Sequence, residues 1–468
     1  MPKAYPFQTD LIPMVPTLKA ETNSQTVASS WNGVRLPVIV VFTVFLVDAS
    51  RLVLAVRRYC VNLIFWDQWD FYTPLFNQAS LWQIFTWEHS PHREGIGLVL
   101  DKFVLQATRW DSRAEALFMV AALFAAGVVA LSVKQKLFGG LNYSDVVIPC
   151  LFLTFAQIEV LVGEENPSYS AIPELLIALY CLAWMLRKPI TRYASVIALN
   201  FLLIYTGFGF FMGAVTIGVL LFDLRRTLRS ESNSPGFPAV ALLLATGSLA
   251  SFFYHYRWNP AVSCHFPDAH LLHYPWFIGL MMSYFLGFRA VVLASVVGSL
   301  LAFAAVAILI WHGMRLWRNR EWSPADLMVV ILLSFSLLFA ANASFGRVCL
   351  GMPEAAQFSR YMGLLAPAFL AIYFHLLTRG KSAVRTLLIA VFVIALIPGT
   401  LRLPTGYSPQ VVSDGKQAWK TCILQTGNIY YCDHVTGFPA YPDPKKTQLV
   451  EKLQFLQKNN LNLYSGDR

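Results

Sequence analysis

The chain has 468 residues, of which 56% are hydrophobic and only 13% are charged, and its formal net charge is +10. Soluble domains carry about 25% charged residues, so this composition excludes an ordinary soluble, disordered or nucleic-acid-binding protein and indicates a polytopic membrane protein. In such a protein an excess of Lys and Arg reports mainly on which loops face the cytoplasm.

Eleven crossings of the membrane are predicted from apolar segments, since a spanning helix needs about 20 apolar residues. Two of them share the stretch 193–222, because Thr206-Gly207-Phe208-Gly209 interrupts it and both of its flanks are basic. The sequence therefore predicts an all-α polytopic membrane protein. The other nine segments are approximately 36–56, 114–133, 146–162, 171–186, 237–253, 290–312, 325–342, 361–378 and 384–398.

The distribution of Lys and Arg over short loops predicts the orientation. Most of these residues fall on one side if the N-terminal segment 1–34 is cytoplasmic. The membrane domain then covers 35–398, its first outer loop covers 58–113, and a small C-terminal tail at 399–468 is extracytoplasmic. The first outer loop is itself basic and needs another explanation. The later outer loops hold only Arg257, Arg289, Arg347 and Arg360.

The cysteines separate into two groups. Cys422 and Cys432 lie ten residues apart in the outer tail, a spacing that allows a disulfide in an oxidising compartment; two free thiols are the alternative. The other five lie in or near apolar segments and are expected to be inert core residues.

The first outer loop contains the densest polar chemistry. In Trp66-Asp67-Gln68-Trp69-Asp70-Phe71 the two carboxylates share one face if the segment is helical, and Glu88 follows as a third acidic group. Aromatic neighbours and a low dielectric raise the pKa of a carboxylate and suit it to act as a base.

The same loop continues with basic groups. His89, His92 and Arg93 supply imidazoles and a fixed cation that can hold a phosphate by hydrogen bonds. The alternative is an interfacial belt of aromatic residues with incidental charges.

Two later clusters carry charge where a lipid headgroup or a substrate path would be. Arg347 and Arg360, followed by Tyr361, lie at the outer ends of consecutive apolar segments; snorkelling arginines are the alternative. Glu159 falls inside a predicted crossing near Glu165 and Asn166, and ionisable groups there mark substrate paths.

Two other groups of residues admit more than one interpretation. Asp48 and Arg51 share a helix face, so they either line a path or form a structural pair. The loop residues His255, His265, His270 and His273 match no strict zinc pattern, and no metal ligand is assigned.

At these residues the sequence resembles a group of bacterial polytopic membrane proteins related to the GT-C glycosyltransferase superfamily. The resemblance is spread over most of the chain in short motifs, with departures at Ser90-Pro91 and Phe208. These motifs are Asp67-Gln68-Trp69, Glu88-His89 with His92-Arg93, Gln157-Ile158-Glu159 with Glu165-Asn166, Gly207-Phe208-Gly209, Gly346-Arg347, Ser359-Arg360-Tyr361 and the ending 453–463.

The resemblance implies a GT-C-like enzyme of the bacterial inner membrane. Such enzymes transfer a sugar from a polyprenyl-phosphate donor to a glycan, lipid or protein acceptor at the outer face, usually with inversion. It implies Asp67 as the base, with Asp70 and then Glu88 as second choices, and a divalent metal could assist. The donor phosphate would be held by His89, His92, Arg93, Arg347, Arg360 and Tyr361, and the substrate cavity lined by Glu159, Glu165 and Asn166.

Two other functions stay open. A transporter or flippase of lipid-linked glycans would suit charged groups within crossings and the glycine-broken pair at 193–222, although no inverted repeat is visible. A non-catalytic subunit of a glycan-assembly complex would use the tail to bind partners. All three functions involve membrane lipids and none involves nucleic acid.

Overall fold

The computed structural model describes residues 31–89, 91–229, 235–257, 265–288, 290–318, 323–380, 382–403 and 407–466, without the side chains of 31–35. Most of this part of the chain is helical and its strands form one two-stranded hairpin, which confirms the all-α class.

One group of helices consists of α1 and the elements between α6 and α17. The first is α1 (Trp31–Tyr59), and the others are α6 (Ser112–Phe138), α7 (Val147–Phe152), α8 (Glu159–Val162), α9 (Ala171–Trp184), α10 (Pro189–Ile204), α11 (Phe210–Leu228), α12 (Gly236–Phe253), α13 (His273–Phe285), α14 (Val291–Arg318), α15 (Pro324–Arg347), α16 (Ala366–Thr378) and α17 (Ala383–Leu401).

The remaining elements lie in the long loop between α1 and α6 and in the tail. The loop holds α2 (Gln68–Phe71), α3 (Thr73–Phe76), α4 (Leu81–Phe85), β1 (Glu88–His89), β2 (His92–Arg93) and α5 (Gly95–Ala107), and the tail holds α18 (Pro409–Thr426), α19 (Ile429–Thr436) and α20 (Leu449–Lys458).

Eight helical segments of the described chain are long and apolar enough to cross a membrane, which supports a multi-pass membrane protein. Three further apolar segments are shorter, and the eleven predicted crossings are therefore not confirmed. Two of the three, α9 with 14 residues and α10 with 16, extend about 21–24 Å at 1.5 Å per residue, less than the roughly 30 Å hydrocarbon core. The third is Tyr143–Gln157.

The break predicted within 193–222 is present between α10 and α11. A 3-10 turn at Gly207–Gly209 separates the two helices. Gly207 has φ +70°, a conformation that favours glycine. A Cβ on Gly209 would lie 2.0 Å from the Leu203 carbonyl oxygen. Glycine at both positions is therefore required by the backbone.

Helix α13 lies where no apolar segment was predicted, and it begins at His273, the last of the four loop histidines. Its 13 residues are too few for a crossing, which is why a search for long apolar segments misses it. It packs against α14 at Gly279 and Gly298, and a Cβ on Gly298 would lie 1.8 Å from the Gly279 carbonyl oxygen. Two glycines thus allow close backbone contact.

The loop between α1 and α6 and the C-terminal tail, which the sequence presents as two segments, share one hydrophobic core. Trp69 of α2 and Trp419 of α18 are both 0% exposed within it. Phe76 of α3 packs edge-on against Phe455 of α20, with ring centroids 5.6 Å apart. The two segments therefore form one extramembrane unit.

Asn462 joins the ends of this unit. Its side-chain oxygen accepts a hydrogen bond from the Ile64 backbone N–H (3.1 Å), and its amide nitrogen donates to the Trp110 carbonyl (2.7 Å) and to Asn62 Oδ1 (2.8 Å). The residue is 1% exposed and has φ +48°, a conformation that asparagine tolerates better than most residues. One buried side chain thus links the tail to both ends of the loop.

The predictions for the cysteines are confirmed in part. Cys422 and Cys432 form a disulfide between α18 and α19. Cys60, Cys150 and Cys181 are free thiols. Cys349 is disulfide-bonded, so the expectation that it is an inert core residue is wrong.

The contacts of Asp48 and Arg51 indicate a structural role for this pair. The Arg51 guanidinium lies 3.0 Å from Asp48 Oδ1 and donates to the carbonyls of Thr400 (3.3 Å) and Leu401 (3.1 Å). These bonds connect α1 to the end of α17, which favours the structural interpretation of the pair.

Candidate functional site

Arg360 joins three separate parts of the chain. Its Nη1 lies 3.0 Å from Glu164 Oε2 and 3.9 Å from Asp67 Oδ2, and its Nε lies 3.8 Å from Glu159 Oε1. Its backbone N–H also donates to Glu159 Oε2 at 3.1 Å. We call Arg360, Asp67, Glu159 and Glu164 the Arg360 cluster.

The local chain geometry explains how Asp67 reaches this cluster. Trp66 has φ +54°, which turns the chain into α2. The Gln68 side chain accepts from the Phe65 N–H (2.9 Å) and donates to the Glu165 carbonyl (2.8 Å). Asp67 is therefore held by its neighbours, while its own side chain stays 43% exposed.

The Asp67 carboxylate is available for chemistry. Within the described part of the chain it makes no side-chain hydrogen bond, and its ionic contact is with Arg360 at 3.9 Å. An exposed carboxylate beside a guanidinium is oriented by that contact and can still accept a proton.

Glu164 has a raised pKa. Burial raises the pKa of Glu164 to about 8; the Arg360 charge opposes this rise, and the carboxylates of Asp67 and Glu159 add to it. At neutral pH Glu164 is therefore mostly protonated, and its 3.0 Å contact with Arg360 is a hydrogen bond to a largely neutral acid.

A second buried cluster surrounds Glu94, which is 0% exposed. Asn166 Nδ2 donates to Glu94 Oε2 at 2.9 Å, and His89 Nδ1 lies 3.4 Å from Glu94 Oε1. The antiparallel hairpin of β1 and β2 places His89 opposite His92. The sequence prediction did not assign Glu94 to the site, although it directly follows the polar run that ends at Arg93.

His89 and Glu94 form an ion pair. Burial lowers the pKa of His89, but the hydrogen bond and charge of Glu94 outweigh it, so that pKa lies above its usual value. Burial raises the pKa of Glu94, but His89, His92 and Asn166 outweigh that effect, so the pKa of Glu94 lies below its usual value. The cation of His89 is thus neutralised inside the protein.

His92 is a neutral imidazole at pH 7. Burial lowers its pKa to about 4; the nearby Glu94 carboxylate opposes this effect, and the cations of His89 and Arg347 add to it. A neutral ring can donate one N–H to a ligand but cannot supply charge, which changes the predicted role of His92 as part of a cationic phosphate site.

Because His92 is buried, we expect the folded protein to lose stability in acid. The unfolded chain takes up a proton near pH 6.5, while the folded ring does so only near pH 4. A depressed histidine pKa therefore costs stability as pH falls through this window, by about 3 kcal/mol when complete. Thermal unfolding from pH 7 to pH 4 measures the loss, and we expect His92→Asn to reduce the slope. An unchanged slope in this variant would contradict the assignment.

Arg93 and Glu88 bind each other. Arg93 Nη2 lies 2.8 Å from Glu88 Oε1 and also donates to the Tyr254 carbonyl at 2.7 Å, and Glu88 Oε2 accepts from the Arg257 N–H at 3.3 Å. Arg93 is 5% exposed. These contacts hold the hairpin to the end of α12, and they favour structural roles over base catalysis by Glu88 or phosphate binding by Arg93.

Asp70 anchors the tail. One of its carboxylate oxygens accepts a hydrogen bond from the Tyr441 hydroxyl, and the other accepts from Thr447 Oγ1 at 2.7 Å. Since both oxygens are occupied by protein donors, the structure favours Asp67 over Asp70 as a base.

Glu165 is also bound within the protein. It is 0% exposed, lies 3.5 Å from the Nζ of Lys416 and accepts from Cys60 Sγ at 3.2 Å. Lys416 belongs to α18 and donates to the Gly163 carbonyl at 3.1 Å. The tail therefore neutralises Glu165, which has no exposed surface with which to line a cavity. The neighbouring Asn166 instead orients Glu94.

Arg347 and Tyr361 have unused donors. Within the described residues Arg347 forms no ion pair, and the Tyr361 hydroxyl, in a side chain that is 3% exposed, has no hydrogen-bond partner. Arg347 ends α15 and lies close enough to His92 for its charge to lower that pKa. Both are predicted phosphate-binding groups, and the protein leaves their donors available.

A metal ion has no prepared set of ligands here. Among the described residues no group of three or more His, Cys, Asp or Glu side chains is placed to hold one. In the Arg360 cluster the guanidinium occupies the position between the carboxylates. His273, one of the four loop histidines, lies 3.1 Å from Asp268.

No family model, curated protein or solved structure matches the chain.

Proposed function

We propose that the protein is an inverting membrane glycosyltransferase that passes a sugar from a polyprenyl-phosphate carrier to a hydroxyl group of a glycan, lipid or protein acceptor. The observation that carries the proposal is the Asp67 carboxylate, which is 43% exposed and lies 3.9 Å from Arg360 beside a multi-pass membrane domain. A base placed there can reach both a lipid-linked donor and a water-soluble acceptor.

The chemical step needs a base and a group that stabilises the leaving phosphate. Asp67 accepts the proton of the acceptor hydroxyl as its oxygen forms a bond to the anomeric carbon. The bond between that carbon and the phosphate oxygen breaks, and the electron pair leaves with the polyprenyl phosphate. The Arg347 guanidinium and the Tyr361 hydroxyl offset the charge that develops on the phosphate.

The other charged residues position these groups. Arg360 orients Asp67 and is itself fixed by Glu159 and Glu164. His89 and Glu94 form a buried pair, and Asn166 donates a hydrogen bond to Glu94. These contacts fix the position of the hairpin. Such preorganisation reduces the cost of aligning the reactants.

The proposal is tested by the transfer kinetics of Arg347→Gln in proteoliposomes that contain polyprenyl-phosphate hexoses and an acceptor glycan. A charged hydrogen bond contributes about 1.5–3 kcal/mol, so kcat/KM for the donor is expected to fall about tenfold to a hundredfold. Arg402→Gln is the control, because Arg402 is exposed near the start of the tail.

Two results would contradict the proposal. One is an unchanged kcat/KM for the donor in Arg347→Gln. The other is movement of a lipid-linked glycan across the proteoliposome membrane with its sugar–phosphate bond intact, which would identify a transporter.

A further inference from the structure

Glu174 is a buried carboxylate that the proposed reaction does not use. It lies in the first turn of α9, is 1% exposed, and neither of its carboxylate oxygens has a hydrogen-bond partner. Among the described residues no Lys, Arg or His forms an ion pair with it. An unpaired carboxylate in apolar surroundings is costly, so a ligand that compensates its charge is expected.

Two more buried oxygens point to the same place. Gln157 Nε2 donates to the Phe152 carbonyl at 2.9 Å, which fixes the amide and leaves Oε1 without a partner. Ser170 is 0% exposed and its Oγ also has no partner. Both residues therefore present unused oxygen atoms inside the protein.

Gly363 brings these groups together. A Cβ at this position would lie 2.5 Å from Gln157 Oε1, 2.6 Å from Glu174 Oε1 and 2.8 Å from Ser170 Cβ. The three side chains thus converge on one point. We call Glu174, Gln157 and Ser170 the Glu174 site.

We propose that the Glu174 site binds one Na⁺ ion. Its ligands are all oxygen atoms, which suit hard cations rather than zinc or copper. One carboxylate balances one positive charge, whereas a divalent ion would leave a net charge in apolar surroundings, and Ca²⁺ takes six to eight oxygens.

The bound ion would connect α9 to two turns, the 3-10 turn at Phe155–Gln157 and the one at Gly363–Leu365. The second of these turns begins three residues after Arg360. Na⁺ would therefore brace the segments that carry the Arg360 cluster. The inference does not depend on the proposed transferase activity.

The test is the thermal stability of the full-length protein, purified in detergent without sodium and titrated with NaCl against choline chloride at constant ionic strength. We expect Tm to rise with NaCl and to reach a plateau, as for any ligand that binds only the folded state. KCl and choline chloride are expected to give little or no rise.

Variants separate the site from a general salt effect. Glu174→Gln keeps the shape without the charge and is expected to lose the NaCl response. Glu115→Gln, which changes another fully buried carboxylate, is expected to keep it. Ser170→Ala, a mild change, is expected to raise the NaCl concentration for the half-maximal shift about tenfold, as the loss of one ligand of about 1.4 kcal/mol would.

Three results would overturn the proposal: equal Tm of the wild-type protein in NaCl and choline chloride, a KCl response as strong as that to NaCl, or a NaCl response that survives in both Glu174→Gln and Ser170→Ala.

Discussion

Replacing Asp67 by Asn is expected to lower kcat for sugar transfer by about a hundredfold to ten-thousandfold, the usual contribution of a general base. Tm should change little, because the side chain is 43% exposed and its contact with Arg360 is 3.9 Å long. Exposed ion pairs contribute about 0–1 kcal/mol. Initial rates in proteoliposomes together with thermal unfolding measure both effects.

Asp70→Asn is the matched control for Asp67→Asn, since it makes the same change three residues away. We expect it to lower Tm, because the carboxylate accepts hydrogen bonds from Tyr441 and Thr447. Leaving such donors unpaired costs about 1–3 kcal/mol. Should Asp67→Asn retain wild-type kcat, or should Asp70→Asn lose kcat at unchanged Tm, the assignment of Asp67 as the base is wrong.

Replacing Asn462 by Leu is expected to destabilise the extramembrane unit by about 4 kcal/mol. The substitution removes the side-chain hydrogen bonds that Asn462 makes with the Ile64 N–H, the Trp110 carbonyl and Asn62 Oδ1. It also places leucine at φ +48°, which a residue with a bulky side chain rarely adopts. Denaturant unfolding followed by tryptophan fluorescence, with Trp69 and Trp419 in the shared core, reports on this unit.

Asn77→Ala is the control for this effect. Asn77 is exposed on the same loop, and such changes usually alter stability by less than about 0.5 kcal/mol. If Asn462→Leu unfolds at the same denaturant concentration as Asn77→Ala, Asn462 does not link the loop to the tail.

The membrane class and much of the helix pattern follow from local sequence. Long apolar segments predict long helices because every backbone group must be paired in lipid. The break at Gly207–Gly209 follows from glycine, whose conformational freedom is also local. Helix α13 was missed because its 13 residues carry no comparable signal and its packing depends on Gly298 of the next helix.

The candidate site was predicted in part. Asp67 was identified as one of two carboxylates among aromatic residues, and Arg360 from its position at the end of an apolar segment. The structure places them 3.9 Å apart. The roles of Asp70 and Glu165 could not be foreseen, since their partners are Tyr441, Thr447 and Lys416 of the tail. No local pattern shows that a donor hundreds of residues away occupies a carboxylate.

The composition of 13% charged and 56% hydrophobic residues indicated by itself a membrane protein. Composition is enough because the gain from removing apolar surface from water depends on the amount of that surface. Only the tertiary structure decided which charged groups remain available for chemistry. The energy of a charge depends on its neighbours at a few ångströms, and those neighbours come from distant parts of the chain. Asp67 is exposed, whereas Asp70 holds the tail. Glu174 is buried, and its unpartnered Oε1 lies beside Gly363 together with the unpartnered Oε1 of Gln157.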